Sequence, residues 1–220
     1  MSRLIRIDDF PHGDKNLWNY DAQNYRDMVT LGLSIFEREG IDYILGVSPG
    51  LLQPGDLDFL EGLVKRGRVV LHGHTHGWER EWSTITSCWE KGGEYEGQSV
   101  ETIKLNYEEG CKTLSKLSCF DEQHYITPFN CYNQEFLDAL KDTPVKYIHT
   151  CDKEYEGYGL SSLNYHGKTP VVATFLKTYA HASTVIENLH NPSQICLHWI
   201  YDYREPTYVE KYEELASLLQ

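Results

Sequence analysis

The sequence predicts a single α/β domain, and three observations carry that prediction. Its 220 residues are 40% hydrophobic, which suits one substantial core better than two small ones. Short apolar runs alternate with stretches of helical spacing, the pattern of strands joined by crossover helices. Four of those runs, far apart in the chain, each deposit polar or special residues just after their last apolar position: Asp8/Asp9, His72/His76, Pro128/Phe129/Asn130 and His198. In alternating β/α chains such positions converge at one end of the sheet. Convergence is what would turn scattered residues into a site.

Taken in order, Arg3 to Ile7 alternates as a strand and runs into Asp8-Asp9-Phe10-Pro11, placing two carboxylates where the strand gives way to its loop. Adjacent residues on an extended chain point in opposite directions, so a local bend must decide which Asp faces a site. Asp-Asp before a proline is also an ordinary turn signal. Asp21 to Glu39 carries Tyr25, Met28, Leu31 and Ile35 at helical spacing, with Gly40 as a stop. A strand from Tyr43 to Val47 follows, and then a helix from Asp56 to Arg66 with Asp56 as its candidate cap. Arg68-Val-Val-Leu71, bounded by Gly67, reads as a buried strand that ends in His72-Gly73-His74-Thr75-His76.

Periodicity fails from Gly77 to Gln98, a long segment punctuated by Trp78, Trp82, Trp89 and Gly92-Gly93. Long loops in compact domains are usually functional or disordered, and aromatic content argues against disorder. The tryptophans either offer stacking faces for a sugar ring or pin the loop down. Ser99 to Leu117 is helical in pattern, His124 to Thr127 a strand, and Asn133 caps a helix through Leu140. Strands are expected at Lys146–His149, Val171–Leu176 and Gln194–Leu197, a helix at Ser183–His190, and an amphipathic helix from Tyr208 to Leu219.

The formal charge of -13 and a pI near 5.2 argue against nucleic acid or an anionic membrane as the main partner, since both need a basic face. No apolar run reaches transmembrane length, and the first residues read as a strand rather than a signal peptide, so the expectation is a cytoplasmic protein. The six cysteines are scattered without a C-x-x-C pair, as expected of reduced thiols.

Imidazole is the commonest transition-metal ligand, and three histidines at the end of one strand point to a metal. A carboxylate with two imidazoles leaves coordination positions open, as in catalytic zinc sites. A second carboxylate would take the proton from a bound water, a histidine opposite would protonate a leaving group, and a backbone N–H near Pro128-Phe129 would stabilise an oxyanion. Together these parts suit metal-assisted hydrolysis of an amide or ester.

Five ordered motifs then resemble the polysaccharide deacetylases, the NodB-homology superfamily, in a divergent branch. Ile5-Arg6-Ile7-Asp8-Asp9-Phe10 resembles its first motif, which implies Asp8 as catalytic base and Asp9 as metal ligand. Leu71-His72-Gly73-His74-Thr75-His76 resembles the second, implying His72 and His76 as ligands and leaving His74 outside the pattern. Gly92 to Gly97, with Glu94, is similar to the branch's Glu-aromatic segment, and Ile126-Thr127-Pro128-Phe129-Asn130 to its Phe-x-Pro-Pro-x-Asn motif. Ile195-Cys196-Leu197-His198 is similar to the late Leu-x-His motif, whose His is the catalytic acid.

The resemblance implies an incomplete (β/α) barrel of about seven strands and deacetylation of N-acetylated sugars. The expected cofactor is one divalent ion, Zn2+ first, with Co2+, Mn2+ or Ni2+ as alternatives. Phe129 joins Asp8 and His198 as catalytic, and Pro128, Asn130, Glu94, Trp78 and Trp82 line the substrate. Two departures stand out. Thr127 occupies the neighbourhood where extracellular members carry an Arg that orients the base, so that Arg is lost or comes from elsewhere. The fourth motif's Asp has only Asp152 as a counterpart.

Two rivals remain. A metallophosphoesterase shares Gly73-His74-Thr75-His76, but this chain lacks that family's early Asp-x-His and its Gly-Asp and Asn-His pairs in suitable places. A catalytically degenerate, carbohydrate-binding deacetylase-like domain would explain the missing Arg while retaining the other residues.

Overall fold

The computed structural model describes residues 4–11, 22–77, 93–151, 159–173, 194–198 and 207–220. Seven strands, β1 (Leu4–Phe10), β2 (Tyr43–Val47), β3 (Arg68–His72), β4 (Phe120–Ile126), β5 (Tyr147–Cys151), β6 (Thr169–Ala173) and β7 (Gln194–His198), form one sheet in the order β6-β5-β4-β3-β2-β1-β7. Every pairing is parallel. The two edge strands, β6 and β7, come within contact of each other, so the sheet curls into a nearly closed seven-stranded barrel.

Parallel neighbours need crossover connections. Helices α1 (Ala22–Glu39), α2 (Asp56–Leu63), α3 (Val100–Leu114) and α4 (Gln134–Leu140) supply the first four, and α5 (Tyr208–Leu219) packs on α1. Strand alternation divides the apolar residues into two layers. Ile5, Ile7, Leu45 and Leu71 join Val29 and Phe36 of α1 in the main core, while Ile44, Val70 and Ile126 form a separate buried cluster. Arg6 pairs in register with Ile44 and so belongs to that second face.

The helix termini follow their local chemistry. Ser99 accepts the N–H of Thr102 at the start of α3, and Asn133 Oδ1 accepts that of Phe136 at 2.9 Å at the start of α4, the cap expected of it. Gly40, at φ 71°, ends α1. In contrast, α2 differs from its sequence pattern. Gly55 is its cap residue, Asp56 lies in the first turn, and the helix stops at Leu63 instead of Arg66. The cause is remote in sequence: the Glu37 carboxylate accepts the N–H groups of Lys65, Arg66 and Gly67 and draws that segment out of the helix.

Strand limits move for a similar reason. β4 starts at Phe120 rather than His124, because Phe120 pairs with Val69 of β3; the polar run Asp121-Glu122-Gln123 falls in the irregularity between that pair and Leu71–Tyr125. β5 begins and ends later than its apolar pattern, and β6 begins earlier, at Thr169. The expected helix at Ser183–His190, Asp152, and the three loop tryptophans Trp78, Trp82 and Trp89 lie outside the described residues. Among the described residues no disulfide links the cysteines, and no helix is long and apolar enough to cross a membrane.

Candidate metal centre

The adjacent aspartates are brought to the same place by an irregularity in β1. Ile7 pairs with Leu45 but Phe10 with Val47, so β1 takes three steps where β2 takes two. The extra residue forms a bulge, and Asp9 adopts left-handed φ of 68° within it. Regular alternation would send the two side chains to opposite faces. With the bulge, Oδ2 of Asp8 and Oδ2 of Asp9 stand 3.6 and 4.0 Å from the same His198 Nε2.

The histidines arrive from β3 and the turn after it. Gly73 has φ 65°, and a Cβ there would lie 2.1 Å from Glu94 Oε2 and 2.5 Å from Pro128, so only glycine fits. The turn ends at His76, itself at φ 60°, and reverses the chain so that both imidazoles face Asp9. His72 Nε2 and His76 Nε2 lie 3.0 and 2.9 Å from one carboxylate oxygen, Asp9 Oδ1. Gly46 on β2 leaves room for the ring, since a Cβ there would come within 3.1 Å of His72 Cβ. All three residues are buried.

The contacts of His72 test whether a cation suits this site. Its Nδ1 is 3.2 Å from the Ile126 carbonyl and its Nε2 faces Asp9, and both of those oxygens only accept. A neutral imidazole carries a single N–H. The two contacts are satisfied together only if the ring takes a second proton or a cation lies between Nε2 and the carboxylate. With Nδ1–H given to the carbonyl, Nε2 has its lone pair free for a metal, the usual orientation of a ligating histidine. Donors at the usual 2.0–2.2 Å from a tetrahedral ion would stand roughly 3.3–3.6 Å apart, a small expansion of the 3.0 and 2.9 Å that separate the two imidazoles from Asp9 Oδ1. Two imidazoles and a carboxylate therefore fit a zinc-like divalent ion.

The electrostatics agree. Burial would raise the pKa of Asp9, but the positive field of His76 and hydrogen bonds from His72 and His76 hold it well below the usual carboxylate range. Burial would lower that of His76, and Asp9 more than offsets it, so His76 is raised. For Asp8, burial is outweighed by the Arg6 guanidinium, with His72 and His198 adding to it, and the carboxyl is held low.

The remaining residues singled out from the sequence take these positions. His198 pairs in register with Asp8 across β1 and β7. Phe129 and Asn130 both have left-handed φ, 55° and 57°, in the turn after β4, and the Phe129 ring centroid is 4.6 Å from that of His76. Pro128 packs beside Gly73. His74 is turned away from the cluster, with its Nε2 4.0 Å from Glu109. Glu94 is buried, and its Oε1 accepts the N–H groups of His74 and Thr75 at 2.7 and 3.2 Å, so this carboxylate braces the histidine turn. Trp78 and Trp82 are not among the described residues.

Sequence reasoning passed over two residues at this site, Arg6 and Cys196. Arg6 grips Asp8 through Nε to Oδ1 at 2.7 Å and Nη2 to Oδ2 at 2.5 Å. The available signal was the period-two spacing of Arg6 and Asp8, which puts both on one face of a strand. Cys196 has its Sγ 3.5 Å from Asp8 Oδ2.

The residues described form a parallel α/β barrel with a carboxylate-bihistidine cluster, Asp9 with His72 and His76, at the carboxyl ends of its strands. Comparison with solved structures places the fold more closely: it is the NodB-like barrel of the family 4 carbohydrate esterases. A candidate polysaccharide deacetylase from Mycobacterium smegmatis matches with TM-score 0.63 at 12% identity, over 99% of this chain and 83% of that one. A family 4 acetyl xylan esterase from Clostridium thermocellum, in complex with a cobalt ion, matches with TM-score 0.56 at 12% identity, over 99% and 83%. A family 4 pseudoenzyme from Bacillus anthracis matches with TM-score 0.53 at 10% identity, over 99% and 60%. No protein-family model and no curated relative matches the sequence.

Proposed function

We propose that the protein is a metal-dependent deacetylase, a hydrolase that removes an acetyl group from an N-acetylated sugar or a related amide. Asp9, His72 and His76 would hold one divalent ion, Zn2+ on the chemistry of its donors. Such an ion, when bound, lowers the pKa of water to about 7 and polarises the carbonyl. Asp8 receives the proton of the attacking water, and His198, which pairs with it across β1 and β7, delivers a proton to the departing amine. The backbone N–H of Phe129 would donate to the developing oxyanion, a contact worth roughly 3 to 4 kcal/mol. Pro128, Asn130, Glu94, Trp78 and Trp82 shape the substrate's surroundings, Glu94 by bracing the turn that carries His76.

The observation that supports this most is His72, held between two acceptors with one proton to give. The likeness to esterases of family 4 supports the barrel in which such chemistry operates, and the cobalt ion of one neighbour is in keeping with a divalent cofactor. The test combines metal analysis with acetate release from a panel of N-acetylated sugars in the presence of Zn2+, Co2+ or Mn2+. One ion per chain with acetate released is expected. One ion without turnover across the panel would favour a carbohydrate-binding domain, and two ions a phosphoesterase-like centre.

A further inference from the structure

The described residues contain two groups of donors close enough to share an ion: Asp9 with His72 and His76, and Asp8 with Cys196 and His198. In the second group Cys196 Sγ is 3.5 Å from Asp8 Oδ2 and 3.9 Å from His198 Nδ1, and His198 Nε2 is 3.6 Å from Asp8 Oδ2. A thiol, an imidazole and a carboxylate are as suitable for a zinc-like ion as the first group. Something must therefore distinguish two neighbouring aspartates that reach the same mouth.

Arg6 does so by geometry. Its guanidinium takes both oxygens of Asp8 in a parallel fork, and it is itself fixed by Nη2 to Asn130 Oδ1 at 2.7 Å and Nη1 to the Thr150 carbonyl at 3.2 Å. It is fully buried, and a guanidinium keeps its charge at every accessible pH. Oδ2 of Asp8 accepts from both Nη2 and the Cys196 thiol, which fills its two lone-pair directions. Among the described residues Oδ1 accepts only from Nε, so one lone pair on Oδ1 is left for a proton. A buried ion pair adds little to stability over an apolar pair of similar size. Its placement makes more sense as control of Asp8.

We propose that Arg6 sorts the two aspartates: by occupying Asp8 Oδ2 together with Cys196 it closes the Asp8–Cys196–His198 group, which gathers at that oxygen, to a second ion, and it leaves Oδ1 as the proton acceptor. Arg6 is thus a positioning residue that acts through Asp8. The proposal rests on the reading that Asp9, His72 and His76 hold a divalent ion, and Asn130, by anchoring Nη2, extends the arrangement to the turn after β4.

Co2+ titration tests it without need of a substrate, because cobalt reports coordination number in its visible bands and a bound thiolate in the near ultraviolet. Wild-type protein is expected to bind one Co2+ per chain with no thiolate band. Arg6→Gln should admit a second Co2+, tightened about 10- to 100-fold over any residual binding in wild type, with a thiolate band that Cys196→Ser abolishes in the double variant. Arg6→Lys keeps the charge and is the variant expected to fold if Arg6→Gln does not; a single ammonium cannot hold both oxygens, so it should show the second ion at higher Co2+ concentration. A single Co2+ and a wild-type spectrum in either folded variant overturns the sorting role alone, and two ions in wild type do the same. Wild-type protein that takes up no Co2+ overturns the metal reading itself.

Discussion

At the amino ends of β2 and β3 the backbone is relaxed and its polar groups are shared out among many partners. Glu37 accepts from Lys65, Arg66 and Gly67 N–H and from the Tyr43 hydroxyl, and Arg68 pairs with Asp121 at 2.9 Å. At the carboxyl ends of β1, β3 and β4 the chain behaves differently. Asp9, His76, Phe129 and Asn130, none of them glycine, have φ between 55° and 68°. Such conformations cost of order 1–3 kcal/mol each and persist only where the surroundings over-determine them. The amino ends of β2 and β3 are thus arranged for stability and the carboxyl ends of β1, β3 and β4 for the placement of side chains; the one other described non-glycine residue at positive φ, His166 at 51°, lies in the turn before β6. Substitutions at the two ends should therefore separate function from folding.

The largest effect is expected from the ligands. Asp9→Ala, His72→Ala or His76→Ala should each weaken Zn2+ binding at least 100-fold by equilibrium dialysis and abolish hydrolysis, whereas His74→Ala should leave the metal in place. Next in size is Asp8→Asn, for which kcat should fall about 100- to 10,000-fold with metal content unchanged. Loss of the ion in that variant would mean that Asp8 and Asp9 have exchanged roles, and with them the sorting by Arg6.

Smaller effects sharpen the comparison through stability. Zn2+ at about 100 times its dissociation constant should stabilise the fold by about 2.7 kcal/mol, raising Tm by roughly 5–10 °C in a calorimetric scan, and a chelator should reverse it. At the opposite end, Glu37→Gln should lower stability by about 1–2 kcal/mol without changing metal content.

The pH dependence of that last effect has a definite sign. Burial would raise the Glu37 pKa, but the N–H groups of residues 65–67 and the Tyr43 hydroxyl lower it below the ordinary value of 4.5. A carboxyl depressed in the folded state contributes stability above its unfolded pKa and loses it as pH falls through the folded value. The gap in Tm between wild type and Glu37→Gln should therefore be full at neutral pH and close as the pH drops below about 4.5. A gap that widens in acid would remove Glu37 from this role.

The contrast between the two ends also explains what could be read from the sequence. Polar residues directly after apolar runs marked the mouth, because a parallel sheet collects its carboxyl ends; this is why Asp9, His72 and His76 were legible as neighbours. What the bulge does at Asp8-Asp9 was not legible, since it depends on how β1 registers with β2. Arg6 was hidden for a related reason: within an alternating strand it is indistinguishable from a solvent-facing residue until the sheet curls and its even-numbered face becomes interior. The early end of α2 likewise depends on Glu37, a residue distant in sequence. Glu94 was found by its motif, but its hold on the backbone of His74 and Thr75 emerged only with the fold.

The most direct measurement is anomalous diffraction at the zinc edge from crystals grown with Zn2+. One peak should appear, about 2.0–2.2 Å from an Asp9 carboxylate oxygen and from Nε2 of both His72 and His76, with Asp8 still gripped by Arg6. A peak bonded to Asp8, Cys196 and His198 instead, or none between the two imidazoles and Asp9, would contradict the account.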